Sequence, residues 1–179
     1  MELNEAMDSI QSKLTETGSR MTEDEESVLK ANPDDPNAVC FYAMGLLMNS
    51  SVRYQKLFFR GYDEMQNEAF ALLGKETEKG NALAIYLMAQ VKCGMFGKFP
   101  RYPDEGRALF EKYYALTGDS GVKEDVLDRW DEFDGEMREH FNDMKIYEVM
   151  TDMRNQGFTE FSSHDEAYYK ERSKQEDKK

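Results

Sequence analysis

Apolar residues recur every three or four positions along most of the chain, which is the spacing that places side chains on one face of an α-helix. Near the N-terminus this pattern is short, and Gly18 interrupts it. Its members there are Leu3, Ala6, Met7, Ile10 and Leu14. The pattern predicts a helix that ends before Gly18.

The start of a second short helix follows. Thr22 and Glu25 have the spacing of a capping box, in which each side chain accepts a hydrogen bond from the backbone N–H of the other residue. We expect this helix to end near Ala31. Residues 1–35 are therefore predicted to form an acidic helical N-terminal segment.

The next part of the chain repeats itself. The run Asn37–Gly45 (NAVCFYAMG) returns without a gap as Asn81–Ala89 (NALAIYLMA). Asp35 and Pro36 predict the start of the first copy, because Asp accepts hydrogen bonds from free first-turn amides and Pro lacks the donor that would stay unsatisfied there. Self-similarity over about forty residues is typical of stacked helical repeats.

Each copy is followed by a loop and a second apolar helical pattern that ends at a glycine, a residue that readily adopts the left-handed conformation that stops a helix. The first pattern, from about Asp63 to Gly80, has the predicted buried positions Met65, Ala69, Leu72 and Leu73. The second, from Pro103 to Gly118, has the apolar positions Ala108, Leu109, Tyr113 and Leu116. Residues 36–118 are thus predicted to form two helix pairs.

Beyond Gly118 the helical spacing continues, which predicts one long amphipathic helix or two helices that bend near Gly135. The apolar positions are Val122, Val126, Trp130, Phe133, Met137, Phe141, Met144 and Tyr147. We expect residues 119–161 to cap the stack, since a terminal repeat would otherwise expose its apolar face. A short helix and a frayed charged tail are predicted for residues 162–179.

The repeated region resembles the Sel-like repeats, which are short helix-pair relatives of the tetratricopeptide repeats. In the second copy the matching positions are Ala84, Tyr86, Met88, Ala89, Gly94, Asp104, Ala108 and Gly118. In the first copy they are Cys40, Tyr42, Met44, Gly45, Ala69 and Gly80. The resemblance covers about residues 36–118 and implies an all-α right-handed superhelix, here with helical caps at both ends, that serves as a protein-binding scaffold. It implies no catalytic residues.

The net charge of −13 is unevenly distributed: residues 1–35 carry −7, residues 36–118 carry +2 and residues 119–179 carry −8. The longest apolar run, Phe41–Met48, is shorter than the about 20 residues that cross a bilayer, and the acidic N-terminus differs from a signal peptide. Cys40 and Cys93 fall inside helical patterns, where reduced packing residues fit better than a disulfide. We therefore expect a cytoplasmic protein.

The connections between the helices of each pair combine positive charge with aromatic rings. We call residues 49–62 and 92–103 the basic–aromatic segments. Stacked repeats bring equivalent loops to one edge, and this composition is favoured at protein-binding hot spots. The predicted partner-binding residues are Arg53, Tyr54, Lys56, Phe58, Phe59, Arg60, Tyr62, Phe96, Lys98, Phe99, Arg101 and Tyr102.

A structural role for the same residues carries comparable weight. The aromatic rings would fill gaps under long loops, while the charges are solvated or pair with the acidic ends of this chain. A nucleic acid is a weaker alternative, because a net charge of −13 repels a polyanion.

The acidic run after residue 123 offers a different hypothesis, in which it imitates a phosphate backbone and blocks a DNA-binding protein. Its members are Glu124, Asp125, Asp128, Asp131, Glu132, Asp134, Glu136 and Glu139. Such a run is more often the solvated face of a helix.

Support for catalysis or metal binding is slight. The spacing of Asp128, Asp131 and Asp134 does not fit an EF-hand loop. Glu136, His140 and Asp143 share a helical face, yet without ligands on a second helix such a triplet indicates a surface salt cluster. Phosphate-binding loops, nucleophile elbows and thiol–histidine signatures do not occur in the sequence.

Taken together, these patterns predict a non-enzymatic protein-interaction module, without cofactor or metal, that acts as an adaptor or as an inhibitor of the immunity type. The expected partner is a protein with an acidic or mixed surface. The alternative is an acidic DNA mimic that inhibits a nucleic-acid-binding protein.

Overall fold

The computed structural model describes residues 1–16, 19–50, 62–95, 101–155 and 157, with backbone alone at residues 62–63 and 144–155. These residues form helices and turns, and no strand occurs among them, so the all-α prediction is confirmed for the described part of the chain. The helices are α1 (Leu3–Lys13), α2 (Glu23–Lys30), α3 (Pro36–Asn49), α4 (Tyr62–Glu78), α5 (Ala82–Cys93), α6 (Pro103–Thr117), α7 (Ser120–Val122) and α8 (Trp130–Asn155).

The chain divides into two compact units, residues 1–88 and residues 89–179, which we call unit 1 and unit 2. The division falls inside α5, so the second copy of the predicted repeat belongs to both units. A π-helical turn, Lys123–Leu127, follows α7 directly.

Unit 1 is built around α3. The helices α1, α2 and α4 all pack against it, and every residue from Cys40 to Leu47 is buried. The helical spacing of Cys40, Met44, Gly45 and Met48 alone would indicate a single buried face. Burial on nearly all sides follows from the three surrounding helices, and it explains why α3 is apolar around its whole circumference.

The predicted starts of α2 and α3 are confirmed. Thr22 and Glu25 form the full capping box, and the Asp35 carboxylate accepts hydrogen bonds from the backbone N–H groups of Asn37 (2.9 Å) and Ala38 (3.0 Å). Both arrangements satisfy amides that a helix leaves unpaired at its N-terminus. The local sequence alone therefore fixes where these two helices begin.

Glu25 joins α1 to α2. Its carboxylate, which is only 2% exposed, accepts hydrogen bonds from Ser9 Oγ and Lys13 Nζ, each at 2.5 Å, and from the Thr22 N–H. Burial alone would raise the pKa of Glu25, but these donors outweigh it and lower the pKa from its ordinary value of 4.5. A buried charge is thus compensated inside the N-terminal segment.

Met21 is held against α3 by a glycine and an asparagine one turn apart. The Met21 side chain fills the space where Gly45 would carry a Cβ. The buried Asn49 side chain accepts the Met21 N–H (2.9 Å) and donates to the Met21 carbonyl (3.2 Å). The small residue at position 45 therefore admits a side chain from the preceding connection.

The buried face of α4 agrees closely with the sequence pattern. Met65, Ala69 and Leu73 are fully buried, whereas Leu72 is half-buried. Gly80 ends the helix with a φ of +83°, as predicted.

The apolar positions that the sequence pattern gives for α6 do not mark its buried face. Ala108 and Leu116 are exposed, Leu109 and Tyr113 are half-buried, and the fully buried residues are Gly106 and Phe110. A Cβ at position 106 would lie against Cys93 Sγ and 3.0 Å from the Ala89 carbonyl oxygen. The absence of a side chain at Gly106 allows α6 to approach α5 there, and this contact determines which face is buried.

Of the two arrangements that the sequence left open beyond Gly118, the structure has the long helix and lacks the bend near Gly135. α8 continues through Gly135, and the break falls earlier, at Asp128–Arg129. The π-helical turn ends there, with the Asp128 N–H donating to the Lys123 carbonyl at 2.8 Å. Val122 and Val126 before the break are buried, and α7 and the π-helical turn pack against α6.

Candidate functional site

The structure describes three charged or aromatic side chains of the second basic–aromatic segment: Lys92, Arg101 and Tyr102. Tyr62 begins α4, and only its backbone is described. The other predicted partner-binding residues lie outside the described residues, and their role stays a prediction. They are Arg53, Tyr54, Lys56, Phe58, Phe59, Arg60, Phe96, Lys98 and Phe99.

Tyr102 is exposed and held in place. Its side chain is 45% exposed, whereas its backbone N–H donates to the Lys92 carbonyl at 2.7 Å and its carbonyl accepts from the Gly106 N–H at 3.0 Å. The Lys92 ammonium lies 4.9 Å from the centre of the Tyr102 ring and forms an ion pair with Glu105 at 2.9 Å. An aromatic ring on a fixed backbone loses little conformational freedom when it binds.

Arg101, a predicted partner-binding residue, has an internal position. The side chain is only 4% exposed and forms an ion pair with Asp134 of α8. Its Nε donates to the Cys93 carbonyl at 2.8 Å. Of the two roles that the sequence left open, these contacts favour the structural one for Arg101, because its guanidinium already pairs with an acidic residue of this chain.

Asp134 is shared by two arginines. One carboxylate oxygen pairs with Arg101, and the other lies 3.4 Å from a guanidinium nitrogen of Arg138, one turn further along α8. Its side chain is 17% exposed, so solvent reaches the pair from the aspartate side. The ion pair links the start of α6 to α8.

Aromatic contacts accompany this ion pair along one face of α8. Trp130 stacks with the Arg107 guanidinium at 5.4 Å, and Phe133 meets Phe110 edge to face with ring centres 5.6 Å apart. Further along, Phe141 is buried, and its ring would lie 3.0 Å from a Cβ at position 94. α8 therefore contacts the α5–α6 pair over about three helical turns.

The cysteines are both free and buried. Burial, together with the nearby carboxylates of Glu76 and Asp35, raises the pKa of Cys40 to about 12. Burial also raises the pKa of Cys93 to about 12, against the opposing effect of the nearby Arg101 charge. Neither environment supplies the lowered pKa that activates a nucleophilic thiol.

Several acidic residues after position 123 pair with cations of the same chain. Asp128 pairs with Lys123 at 2.7 Å, Glu132 pairs with Arg129, and Asp134 pairs with Arg101. These pairs reduce the charge that part of the run would present to a basic protein. Within the described residues, no group of three or more His, Cys, Asp and Glu side chains is arranged to hold a metal ion.

Comparisons with protein-family models, with characterised proteins and with solved structures gave no match for this chain. Among the described helices, none combines the length and the apolar character needed to span a membrane.

Gly106 and the Arg101–Asp134 pair are the features that the sequence patterns did not reveal. A glycine inside a helical pattern is a recognised sign of close packing, and Gly106 is such a residue. The ion pair left no comparable sign, because its members lie 33 residues apart.

Proposed function

We propose that this chain is a non-enzymatic protein-interaction module built from two helix pairs of the Sel-like type, and that it binds its partner through the basic–aromatic segments. Tyr102 is the observation that carries this proposal. It is a large aromatic residue on a fixed backbone, nearly half exposed and adjacent to a lysine. Tyrosines in such settings are enriched among the residues that dominate binding energy.

The packing within the pairs supports the repeat part of the proposal. α4 packs against α3 and buries a small residue, Ala69, followed four positions later by Leu73. α6 approaches α5 and buries Gly106, followed four positions later by Phe110. When the second helices are aligned on these buried residues, Gly106 of α6 takes the place of Ala69 of α4. The family resemblance had suggested Ala108, two residues later.

Identification of the partner is the first step of the test. The full chain, immobilised through an added tag, would be exposed to an extract of its native cells, and mass spectrometry would identify the retained proteins. The affinity of the chain for the purified partner would then be measured by calorimetry. We expect the partner surface to be acidic or mixed in charge, and the affinity to decrease as salt increases.

Tyr102→Ala tests the site itself. We expect it to weaken binding at least about tenfold, as for a hot-spot residue. Leu116→Ala is the matched control, because Leu116 is 55% exposed on α6, the helix that follows Tyr102, and lies outside the segment. This variant should bind like wild type. Equal affinity of wild type and the Tyr102 variant would contradict the proposed site.

Charge reversal tests the predicted segments that the structure does not describe. Arg53, Lys56 and Lys98 would be changed together to glutamate, and Arg101 would be left intact because it pairs with Asp134. We expect loss of binding with an unchanged helical circular dichroism spectrum. Retained binding would refute the contribution of these cations.

The DNA-mimic alternative has a separate test. It predicts that the chain competes with DNA for a basic protein, and that Asp125→Asn with Asp131→Asn reduces the competition. Both residues are exposed. Three other acids of the run already pair with cations of the chain, which is why we favour the first proposal.

A further inference from the structure

The segment before α8 is packed in place, and separate contacts hold α8 itself. The π-helical turn before it packs against α6 through a segment with Val122 and Val126 buried. The two residues between the π-helical turn and α8, Asp128 and Arg129, form a turn rather than a helix. A break between a packed base and a long helix is a suitable place for rotation of the helix.

Beyond this break, distinct contacts join α8 to the α5–α6 pair. Among the described residues they include the stacking of Trp130 on Arg107, the edge-to-face pair of Phe133 with Phe110, the Arg101–Asp134 ion pair and the proximity of Phe141 to Gly94. The ion pair is the polar contact at the centre of this row. Its loss would leave the guanidinium of Arg101 buried without its carboxylate, which is strongly unfavourable while the helix stays closed.

We propose that α8 is a hinged cover on unit 2, that it rotates at Asp128–Arg129, and that the Arg101–Asp134 ion pair is the lock that keeps it closed over the Cys93–Gly94 corner. This proposal does not depend on the partner-binding function. The lock is accessible from one side, since Asp134 is more exposed than Arg101. On opening, Arg101 keeps its hydrogen bond to the Cys93 carbonyl, and α8 is the part that leaves.

The Cys93 thiol reports the state of this cover. It is fully buried where α5 meets α6 at Gly106, beside the carbonyl that Arg101 holds. Cys40 is the other cysteine of the chain, and it is buried in unit 1. One molecule therefore contains both the reporter and its reference.

The test measures the rate at which N-ethylmaleimide modifies each thiol in the full chain, with peptide mass spectrometry to separate the two. Asp134→Asn and Arg101→Gln both remove the lock. We expect each variant to accelerate modification of Cys93 at least about tenfold and to leave the rate at Cys40 within about twofold of wild type. Asp131→Asn, an exposed change on the same helix, is the control and should alter neither rate.

The pair of variants separates opening from a direct electrostatic effect on the thiol. Asp134 raises the pKa of Cys93 and Arg101 lowers it, so removal of one charge or the other would change thiolate formation in opposite directions. Opening of the cover accelerates modification in both variants. Acceleration in one and slowing in the other would overturn the proposal, as would equal acceleration at Cys40 and Cys93.

A measurement on the unaltered chain covers the case in which a variant fails to fold. Modification of wild-type Cys93 in urea below the unfolding transition should depend only weakly on urea, because a local opening exposes little surface. Modification of Cys40 should show the steep dependence of unfolding. The same slope for both thiols would overturn the proposal.

Discussion

α4 and α6 are the second helices of the two predicted helix pairs, and they are buried to different extents. α4 buries Met65, Ala69 and Leu73, together with the polar residues Gln66 and Glu76. α6 is of similar length, with 15 residues against the 17 of α4, but it buries only Gly106 and Phe110. A similar chain pattern has thus produced a core helix in unit 1 and a largely exposed helix in unit 2.

The difference indicates that different kinds of contact stabilise the two predicted helix pairs. In unit 1, α3 is surrounded by three helices and apolar burial supplies the cohesion. In unit 2, the described contacts of α8 include an aromatic pair and a cation–π contact with α6 and an ion pair with Arg101, which precedes α6. Discrete contacts of this kind suit an element that opens and closes, whereas extensive apolar burial does not.

The largest effect that separates the two helices is expected from leucine truncation. Leu73→Ala in α4 removes a fully buried side chain and should lower the free energy of unfolding by about 2–5 kcal/mol. Leu116→Ala in α6 truncates a side chain that is 55% exposed and should change it by less than about 0.5 kcal/mol. Urea denaturation followed by circular dichroism measures both. Similar losses in the two variants would remove the distinction between the helices.

A smaller effect, with opposite signs at two glycines, tests how unit 2 is packed. Gly106→Ala places a Cβ against Cys93 Sγ and backbone atoms of α5, and should destabilise the protein by about 1–3 kcal/mol. Gly135→Ala adds a Cβ to α8 where no atom lies within 4 Å, and should stabilise it by about 0.5–1 kcal/mol. Thermal unfolding gives the sign of each change. A neutral Gly106 variant would mean that α6 does not approach α5 as described.

The smallest effect concerns pH and belongs to unit 1. The pKa of Glu25 is lowered in the folded state, so its contribution to stability is complete above its ordinary value of 4.5 and disappears as pH falls through the folded-state value. Glu25→Gln should therefore cost about 1–2 kcal/mol at pH 7 and much less at pH 3. Urea denaturation at both pH values checks this. A constant difference between wild type and variant would show that the charge of Glu25 is not what stabilises the contact.

The helix boundaries in this chain follow from local sequence, which is why they could be predicted. The capping box of Thr22 with Glu25, the Asp35–Pro36 start and the stops at Gly80 and Gly118 each involve residues within a few positions of one another. The interactions that decide them are formed as soon as the turn itself forms.

The buried face of α6 and the position of Arg101 depend on distant residues, so the local pattern misled. Ala108 and Leu116 have helical spacing, but the approach of α5 at Gly106 selects the other face. Arg101 looked like a surface cation because Asp134 is 33 residues away. Tyr102 is exposed, so its predicted role in binding stays a prediction that its position allows.

Hydrogen exchange, measured by mass spectrometry on the unaltered full chain, is the most direct test of the central claim. The claim is that different kinds of contact stabilise the two predicted helix pairs. Protection depends on how often each helix opens, so α4 and α6 can be compared in one sample. We expect the amides of α4 to exchange at least about tenfold more slowly than those in the middle of α6. Equal protection of the two helices, or slower exchange in α6, would contradict the account.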